Sequence, residues 1–282
     1  MSKVILSAFA DEYSKELDVQ LQVLRENGIG YLEPRFISDK NIADLSEAEA
    51  ILMKEKLGDI RVYSIGSPLG KINLADDFEQ HMDVAKRVFT TANILECQNV
   101  RMFSFYLHPE KSVRTCRGEV LEKLGKMNDA AKEYGVTLCH ENEAGIYGES
   151  PENCLDLLKA FHGDMKCVFD MGNFVLRGYK PYPDAYELLK DYIQYFHIKD
   201  ALPEGAVVPP GCGKGEIAKL LKSHLQKTRK DVVATLEPHL QTFDGLNTLT
   251  KRHFKNPYQY ETKEAAFLDA VKKMQILLEE EV

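Results

Sequence analysis

Eight short runs rich in β-branched and aromatic residues recur along the chain: Val4 to Phe9, Ile29 to Arg35, Arg61 to Gly66, Asn99 to Phe103, Thr137 to Glu141, Cys167 to Asp170, Ile193 to His197 and Val232 to Glu237. Between them lie stretches with apolar residues at helical spacing, such as Leu17, Leu21 and Leu24, or Val120, Leu121, Leu124 and Met127. Strands alternating with helices predict a parallel sheet, because parallel neighbours need a crossover connection. Eight such units in 282 residues predict closure into a (β/α)8 barrel rather than an open doubly wound sheet. No composition shift, charge block or low-complexity stretch marks a linker, so residues 1–282 are expected to form a single domain.

The connections are asymmetric. Helices return to strands through brief turns such as Glu26-Asn27-Gly28, Gly58-Asp59 and Tyr134-Gly135-Val136. Strands run instead into long Pro- and Gly-containing segments: Ser67 to Asp77, Ser104 to Ser112, Met171 to Pro183, Ala201 to Gly215 and Pro238 to Tyr260. In such a barrel the loops after the strands carry function, so the site is expected at that mouth.

Four residues of metal-ligand type, Glu141, Asp170, His197 and Glu237, each close one of these strands. Their spacings (141 to 170, 170 to 197, 197 to 237) are about one strand-helix repeat each, which would gather them around one mouth. Strand parity supports this: a residue facing the interior follows one facing the helices, and the preceding residues are His140, Phe169, Phe196 and Leu236, three of them large and apolar. His140 is read as a helix-facing, hydrogen-bonded histidine rather than a fifth ligand, and the same caution covers Glu143 and His239. Each ligand candidate has a plainer reading on its own, since a strand-end Asp commonly caps the next helix. Together they predict a metalloenzyme, because three carboxylates held close repel one another unless a cation neutralises them. An oxygen-rich set with one imidazole suits Mn²⁺ first, then Mg²⁺, Co²⁺ or Zn²⁺.

A net charge of −8 argues against a protein that grips a phosphate backbone, so no nucleic-acid partner is expected. The six cysteines contain no C-x-x-C pair, and the chain opens without a charged-then-apolar leader, as expected of a cytoplasmic protein. No apolar run approaches the roughly 18 residues that would predict a membrane span. A homo-oligomer is compatible with all of this.

Several segments resemble motifs of the xylose isomerase-like superfamily, its sugar phosphate isomerase/epimerase branch above all. They are Cys139-His140-Glu141-Asn142-Glu143-Ala144-Gly145-Ile146-Tyr147-Gly148, Phe169-Asp170-Met171-Gly172-Asn173-Phe174, His197-Ile198-Lys199-Asp200 and Leu236-Glu237-Pro238-His239-Leu240. Ser64 to Lys71 and Arg101 to Tyr106 are similar to that branch's third and fourth strand ends, so the resemblance covers nearly the whole chain. It implies a TIM barrel holding one divalent ion through Glu141, Asp170, His197 and Glu237, with the two glutamates also serving as acid and base. There are departures. Ketose 3-epimerase relatives place a substrate-contacting histidine where this chain has Asn173, and an arginine that has no match near Pro203. Endonuclease IV relatives add histidines on early strands, where Ser67 and Tyr106 stand here.

The expected activity is isomerisation or epimerisation of a sugar or sugar phosphate, with proton transfer through a metal-stabilised enediolate. Glu141 and Glu237 are the expected catalytic pair. Glu33 is either a reserve proton-transfer group or the partner of Arg35 in an ion pair. Arg35, Lys71 and Lys199 could hold a phosphate or carboxylate, with Asn173 beside them. The run Gly211 to Ile217 either binds an anion through backbone N–H groups, Gly213 among them, or is a plain tight turn. Phe9, Phe103 and Tyr106 are candidates for an apolar wall. The alternatives are an inosose dehydratase-like lyase on the same site, and a non-catalytic sugar-binding barrel.

Overall fold

The computed structural model describes residues 2–240 and 256–282. The barrel strands are β1 (Val4–Ala8), β2 (Tyr31–Leu32), β3 (Arg61–Val62 and Ser64–Ile65), β4 (Asn99–Met102), β5 (Thr137–Glu141), β6 (Lys166–Asp170), β7 (Ile193–Ile198) and β8 (Val232–Leu236). All pair in parallel. The two halves of β3 close the ring: Arg61 and Val62 pair with β2, whereas Ser64 and Ile65 pair with β4. Tyr63 bridges the break, its N–H donating to Leu32 O at 3.3 Å and its carbonyl accepting from Asn99 Nδ2 at 3.0 Å. The (β/α)8 barrel is therefore the fold. The run at Ile29 to Arg35 is regular only over Tyr31–Leu32, because Pro34 has no N–H for the ladder.

The outer helices are α1 (Leu17–Glu26), α2 (Glu47–Leu57), α3 (Phe78–Ile94), α4 (Val113–Glu133), α5 (Pro151–Ala160), α6 (Met171–Leu176), α7 (Tyr186–Leu189), α8 (Ile217–Thr228) and α9 (Lys263–Glu281). Local sequence sets their starts. Ser46 and Glu49 form a capping box on α2, while Asp77, Ser112 and Ser150 cap α3, α4 and α5 through the N3 backbone N–H. None of the described helices is long and apolar enough to cross a membrane.

The side chains separate into two cores. Phe169, Phe196 and Leu236 pack with the helices, whereas Cys139, Val168, Tyr195 and Val233 plug the barrel axis with Ile5 and Tyr63. Burial of each large outward residue contributes roughly 1.5–3 kcal/mol, and a one-residue slip would drive the adjacent carboxylates under the helices. Register is thus fixed by the outward set. Two residues above Cys139, Val168, Tyr195 and Val233, the same parity carries Glu141, Asp170, His197 and Thr235 inward, with Glu237 one step further.

The loop asymmetry holds as well. Two small hairpins, Phe36–Ile37 with Lys40–Asn41 and Asp200–Ala201 with Val207–Val208, follow β2 and β7 at the mouth. In the long segment after β8, residues 241–255 lie outside the described part. The loop after β3 is tied to the end of β4 by Phe103 N–H to Leu69 O (2.8 Å) and Phe105 N–H to Gly70 O (3.0 Å). Gly70 has φ +80°, and a Cβ there would fall 1.9 Å from the Phe103 carbonyl oxygen. Its N–H donates to Nε2 of buried His81 on α3 at 2.9 Å.

His81 must be neutral to accept that bond, and burial, with Lys123 adding, pulls it down from 6.5 to about 4. His140 and His224 are also lowered to about 4, chiefly by burial. Groups depressed in the folded state contribute stability above their unfolded value and lose it as pH falls through the folded one. These histidines should therefore pull the melting temperature down as pH is taken from about 6.5 to 4, against Glu12 and Asp170, which burial raises to about 7 and which act the other way. His81→Gln, which keeps a neutral acceptor, should flatten that slope, and an unchanged slope would refute the assignment.

Candidate active site

Glu141, Asp170, His197 and Glu237 are brought together as expected. One ligand atom from each lies within 4.8 Å of the others, and all four side chains are buried. His197 Nδ1 sits 3.1 Å from Glu141 Oε1 and 3.3 Å from Glu237 Oε2, yet makes no hydrogen bond of acceptable geometry. Nε2, on the other side of the ring, lies 3.2 and 3.3 Å from the carboxylate of Glu33. Glu33 is itself fully buried, with the Tyr195 hydroxyl 2.8 Å from both its Oε1 and Ser64 Oγ. This arrangement turns Nδ1 and its two neighbouring carboxylates toward a common point. Ligating histidines are oriented by an outer carboxylate in the same way.

Three cations support the cluster. Lys199 Nζ donates to Asp170 Oδ2 (2.8 Å), Glu237 Oε2 (3.1 Å) and Asn173 Oδ1 (3.2 Å). Arg101 Nη1 donates to Glu141 Oε2 at 3.0 Å. Arg35 Nη1 donates to Glu237 Oε1 at 3.1 Å, while its Nε and Nη2 reach Asp11 (2.9 Å) and Glu12 (3.4 Å). Burial pushes Glu141 up, but His197 and Arg101 outweigh it and hold the carboxyl at about 2. Burial also raises Asp170; Lys199 opposes this, Glu141 and Glu237 add to it, and the result is about 7. For His197 burial acts downward, and Glu141 and Glu33 hold the imidazole well above its ordinary value. Glu33, Glu141, Asp170 and Glu237 are thus balanced only when His197 carries positive charge beside Lys199, Arg101 and Arg35. An unpartnered buried imidazole nitrogen among three carboxylates fits one divalent cation, the donor set being of the oxygen-rich, single-imidazole kind.

The remaining expected residues divide. Asp170 serves both readings: Oδ1 caps α6 through the Asn173 N–H (2.7 Å), and Oδ2 faces the cluster. Asn173 lies inside the site, its Nδ2 donating to Asn142 O (2.9 Å) and approaching Glu141 Oε1 (3.5 Å). Glu33 does not pair with Arg35; it stands behind His197 instead. Lys71 is at the rim, 3.0 Å from Glu143 and stacked on the Phe103 ring at 4.2 Å. The N–H of Gly213 does meet an anion, but it is Asp200 Oδ2 at 2.9 Å, which also accepts from Gly211 N–H at 3.0 Å while Oδ1 takes the Gly215 N–H at 2.8 Å. That glycine run therefore wraps the chain's own carboxylate. His140 faces the helices and meets Ser104 Oγ at 2.9 Å. Phe9 lies edge-on to His197, with ring centroids 5.1 Å apart.

Sequence reasoning passed over Arg101 and the pair Asp11 and Glu12. Parity could have found Arg101: between Val100 and Met102 on an apolar strand, it must point inward if they point out.

The profile of the xylose isomerase-like TIM barrel family matches residues 21–255. The chain belongs to that family. No curated protein matches it in sequence. Among solved structures it is similar to the IolI protein with a zinc atom (17% identity, TM-score 0.72, 99% of each chain covered). It is similar also to D-psicose 3-epimerase with D-tagatose from Clostridium cellulolyticum (14%, TM-score 0.71, 97% of this chain and 99% of that one). A third is the probable 3-DHS dehydratase AsbF from Bacillus anthracis (18%, TM-score 0.67, 84% of this chain and 92% of that one). At these identities the likeness is one of fold. Within this family's barrel, the cluster of Glu141, Asp170, His197 and Glu237 and its cations sit at the strand ends, at the mouth that carries the long loops.

Two outcomes test the geometry. Glu33→Gln should lower divalent-metal affinity about 10- to 100-fold in a chelator competition titration, and unchanged affinity would contradict the orienting role. Gly172→Ala places a Cβ 2.6 Å from Lys199 Cγ and 2.7 Å from its carbonyl oxygen. Denaturant unfolding should show a loss of about 1–3 kcal/mol.

Proposed function

We propose that this protein is a divalent-metal-dependent isomerase or epimerase acting on a sugar or a charged sugar derivative such as a sugar phosphate, with Mn²⁺ the first candidate metal and the cytoplasm its expected compartment. The observation that carries the reading is the set Glu141, Asp170, His197 and Glu237, buried and within 4.8 Å, with His197 Nδ1 unpartnered among the carboxylates. A divalent ion held by these four would supply Lewis acidity toward a carbonyl and the hydroxyl beside it, acidifying the intervening C–H.

The chain's own groups do the rest. Glu141 on β5 and Glu237 beyond β8 reach the cluster from separate strands, so a substrate between them presents a different side to each. One removes the C–H proton and the other delivers a proton to the opposite face or the neighbouring carbon, which is the difference between epimerisation and isomerisation. Arg101 aims Glu141 and Arg35 aims Glu237; the glutamate that removes the proton enters the step ionised and the one that delivers a proton enters it protonated. Lys199 places a positive charge where an oxygen of the reacting unit gains negative charge, as electrostatic stabilisation requires. Phe9 and Phe103, both fully buried, keep water from the inner side of the site.

A lyase reading also has an observation behind it. Glu141 and Glu237 share one cluster, so after the same C–H abstraction by one, the other can protonate a neighbouring hydroxyl that departs as water. Product mass separates the two, since dehydration loses water. A sugar-binding barrel without catalysis would show no C–H exchange at all.

The manganese-loaded protein should exchange a substrate C–H for deuterium in D₂O, followed by NMR across ketoses, ketose phosphates and keto acids. Glu141→Gln and Glu237→Gln should each slow exchange by about 10²–10⁴-fold at confirmed metal occupancy. Chelation should abolish it. Exchange that survived both substitutions, or metal removal, would rule the mechanism out.

A further inference from the structure

The three cations at the cluster differ in how many of their donors the protein uses. Lys199 has three N–H donors and three acceptors, Asp170, Glu237 and Asn173. Arg35, with five donors, meets Asp11, Glu12, Glu237 and His239 Nε2. Both are committed to the protein. Arg101 is not: it is 4% exposed, and Nη1 to Glu141 is its one hydrogen bond to a described residue. Among the described residues its buried Nε has no partner and Nη2 no acceptor, and Glu237 Oε1 stands off at 4.0 Å from Nη1. The unused edge of the guanidinium, Nε with Nη2, is the side-on fork that matches a planar carboxylate. Aromatic rings hold it flat, with Phe103 at 4.8 Å and Phe9 at 5.3 Å from its central carbon. A buried cationic fork left without acceptors is costly unless a ligand supplies them.

We infer that the substrate carries a carboxylate next to its reacting hydroxy-carbonyl unit, and that Arg101 binds this group through the Nε and Nη2 edge. The substrate class is a polyhydroxylated keto acid. The same guanidinium touches Glu141 at 3.0 Å, which keeps the anion it binds within a few bonds of the carbon whose proton Glu141 handles. A phosphate at the far end of a sugar chain would lie several bonds further out. The rim cation suited to that position, Lys71, is already paired with Glu143. This inference rests on the metal-site reading above, and it narrows the substrate of that same site.

The test is a binding comparison on manganese-loaded protein, which needs no turnover. Fructose and 2-ketogluconate share a carbon skeleton and differ at the group beside the carbonyl, hydroxymethyl in one and carboxylate in the other. Fructose 6-phosphate supplies a remote anion. By titration calorimetry 2-ketogluconate should bind about tenfold or more tighter than either. Arg101→Gln should erase the preference, and Arg101→Lys, which keeps the charge without the fork, should keep only part of it. Melting temperature and bound-metal stoichiometry show whether each variant is folded, and the wild-type comparison stands without them. Equal affinity for fructose, preference for the phosphate, no binding of any of the three, or a carboxylate preference that survives both substitutions would overturn the inference. Arg101-dependent binding of the acid without deuterium exchange would instead remove the isomerase reading and leave this one. Exchange confined to neutral sugars would do the reverse.

Discussion

Burying charge inside the barrel is the constraint on which this molecule depends. Glu33, Glu141, Asp170 and Glu237 are each at most 2% exposed, and an unpaired ion in such a place costs several kcal/mol. Every one of them is therefore met by a donor: His197 and Tyr195 on Glu33, Arg101 on Glu141, Lys199 on Asp170, and Lys199 with Arg35 on Glu237. Removing one partner of such a pair is expected to cost more than the pair contributes, because it strands the other charge. Space around the network follows from the same need. Gly172 leaves room for Lys199, and Gly66 leaves room for the Phe9 ring, which a Cβ would meet at 2.5 Å.

The barrel divides its axis between stability and chemistry. Low in the interior, Val168, Tyr195, Val233 and Cys139 pack as an apolar plug. One layer up the interior turns polar, with small hydroxyl residues, Ser7 and Thr235, beside the charged ones. Their hydroxyl oxygens, like Arg101 Nε and His197 Nδ1, are buried without a partner among the described residues. A fold optimised for stability alone would not leave these groups unpaired, and they cluster where the loops are long and where a ligand can complete them.

Much of this was legible in the sequence, and the reason differs by residue. Three of the four clustered residues were legible because parity is rigid: Phe169, Phe196 and Leu236 must face the helices, so Asp170, His197 and Glu237 cannot. His140 was legible for a similar reason, as the polar exception that found Ser104. The Gly211 to Gly215 run was legible only as a tight, amide-rich loop. That its anion is Asp200 depends on a β-hairpin after β7 folding the loop back over its own strand end. Glu33 shows the limit most clearly. It is two residues from Arg35, and proximity in sequence suggested an ion pair, but residues i and i+2 share a face at successive heights, and each found its partner across the barrel.

Sequence alone determined the alternation of strands and helices, the closed parallel barrel, the inward set Glu141, Asp170, His197 and Glu237, and the mouth at which they gather. These follow from periodicity and chain length, which act locally and leave few topologies. Only the tertiary structure decided which charges pair. Contacts such as Arg35 with Glu237 or His197 with Glu33 join strands 202 and 164 residues apart, so closing the ring creates them and no local pattern encodes them. It likewise decided that Lys199 and Arg35 are consumed by the protein, while Arg101 keeps an open fork, because donor satisfaction depends on distance and angle in the folded barrel rather than on residue type.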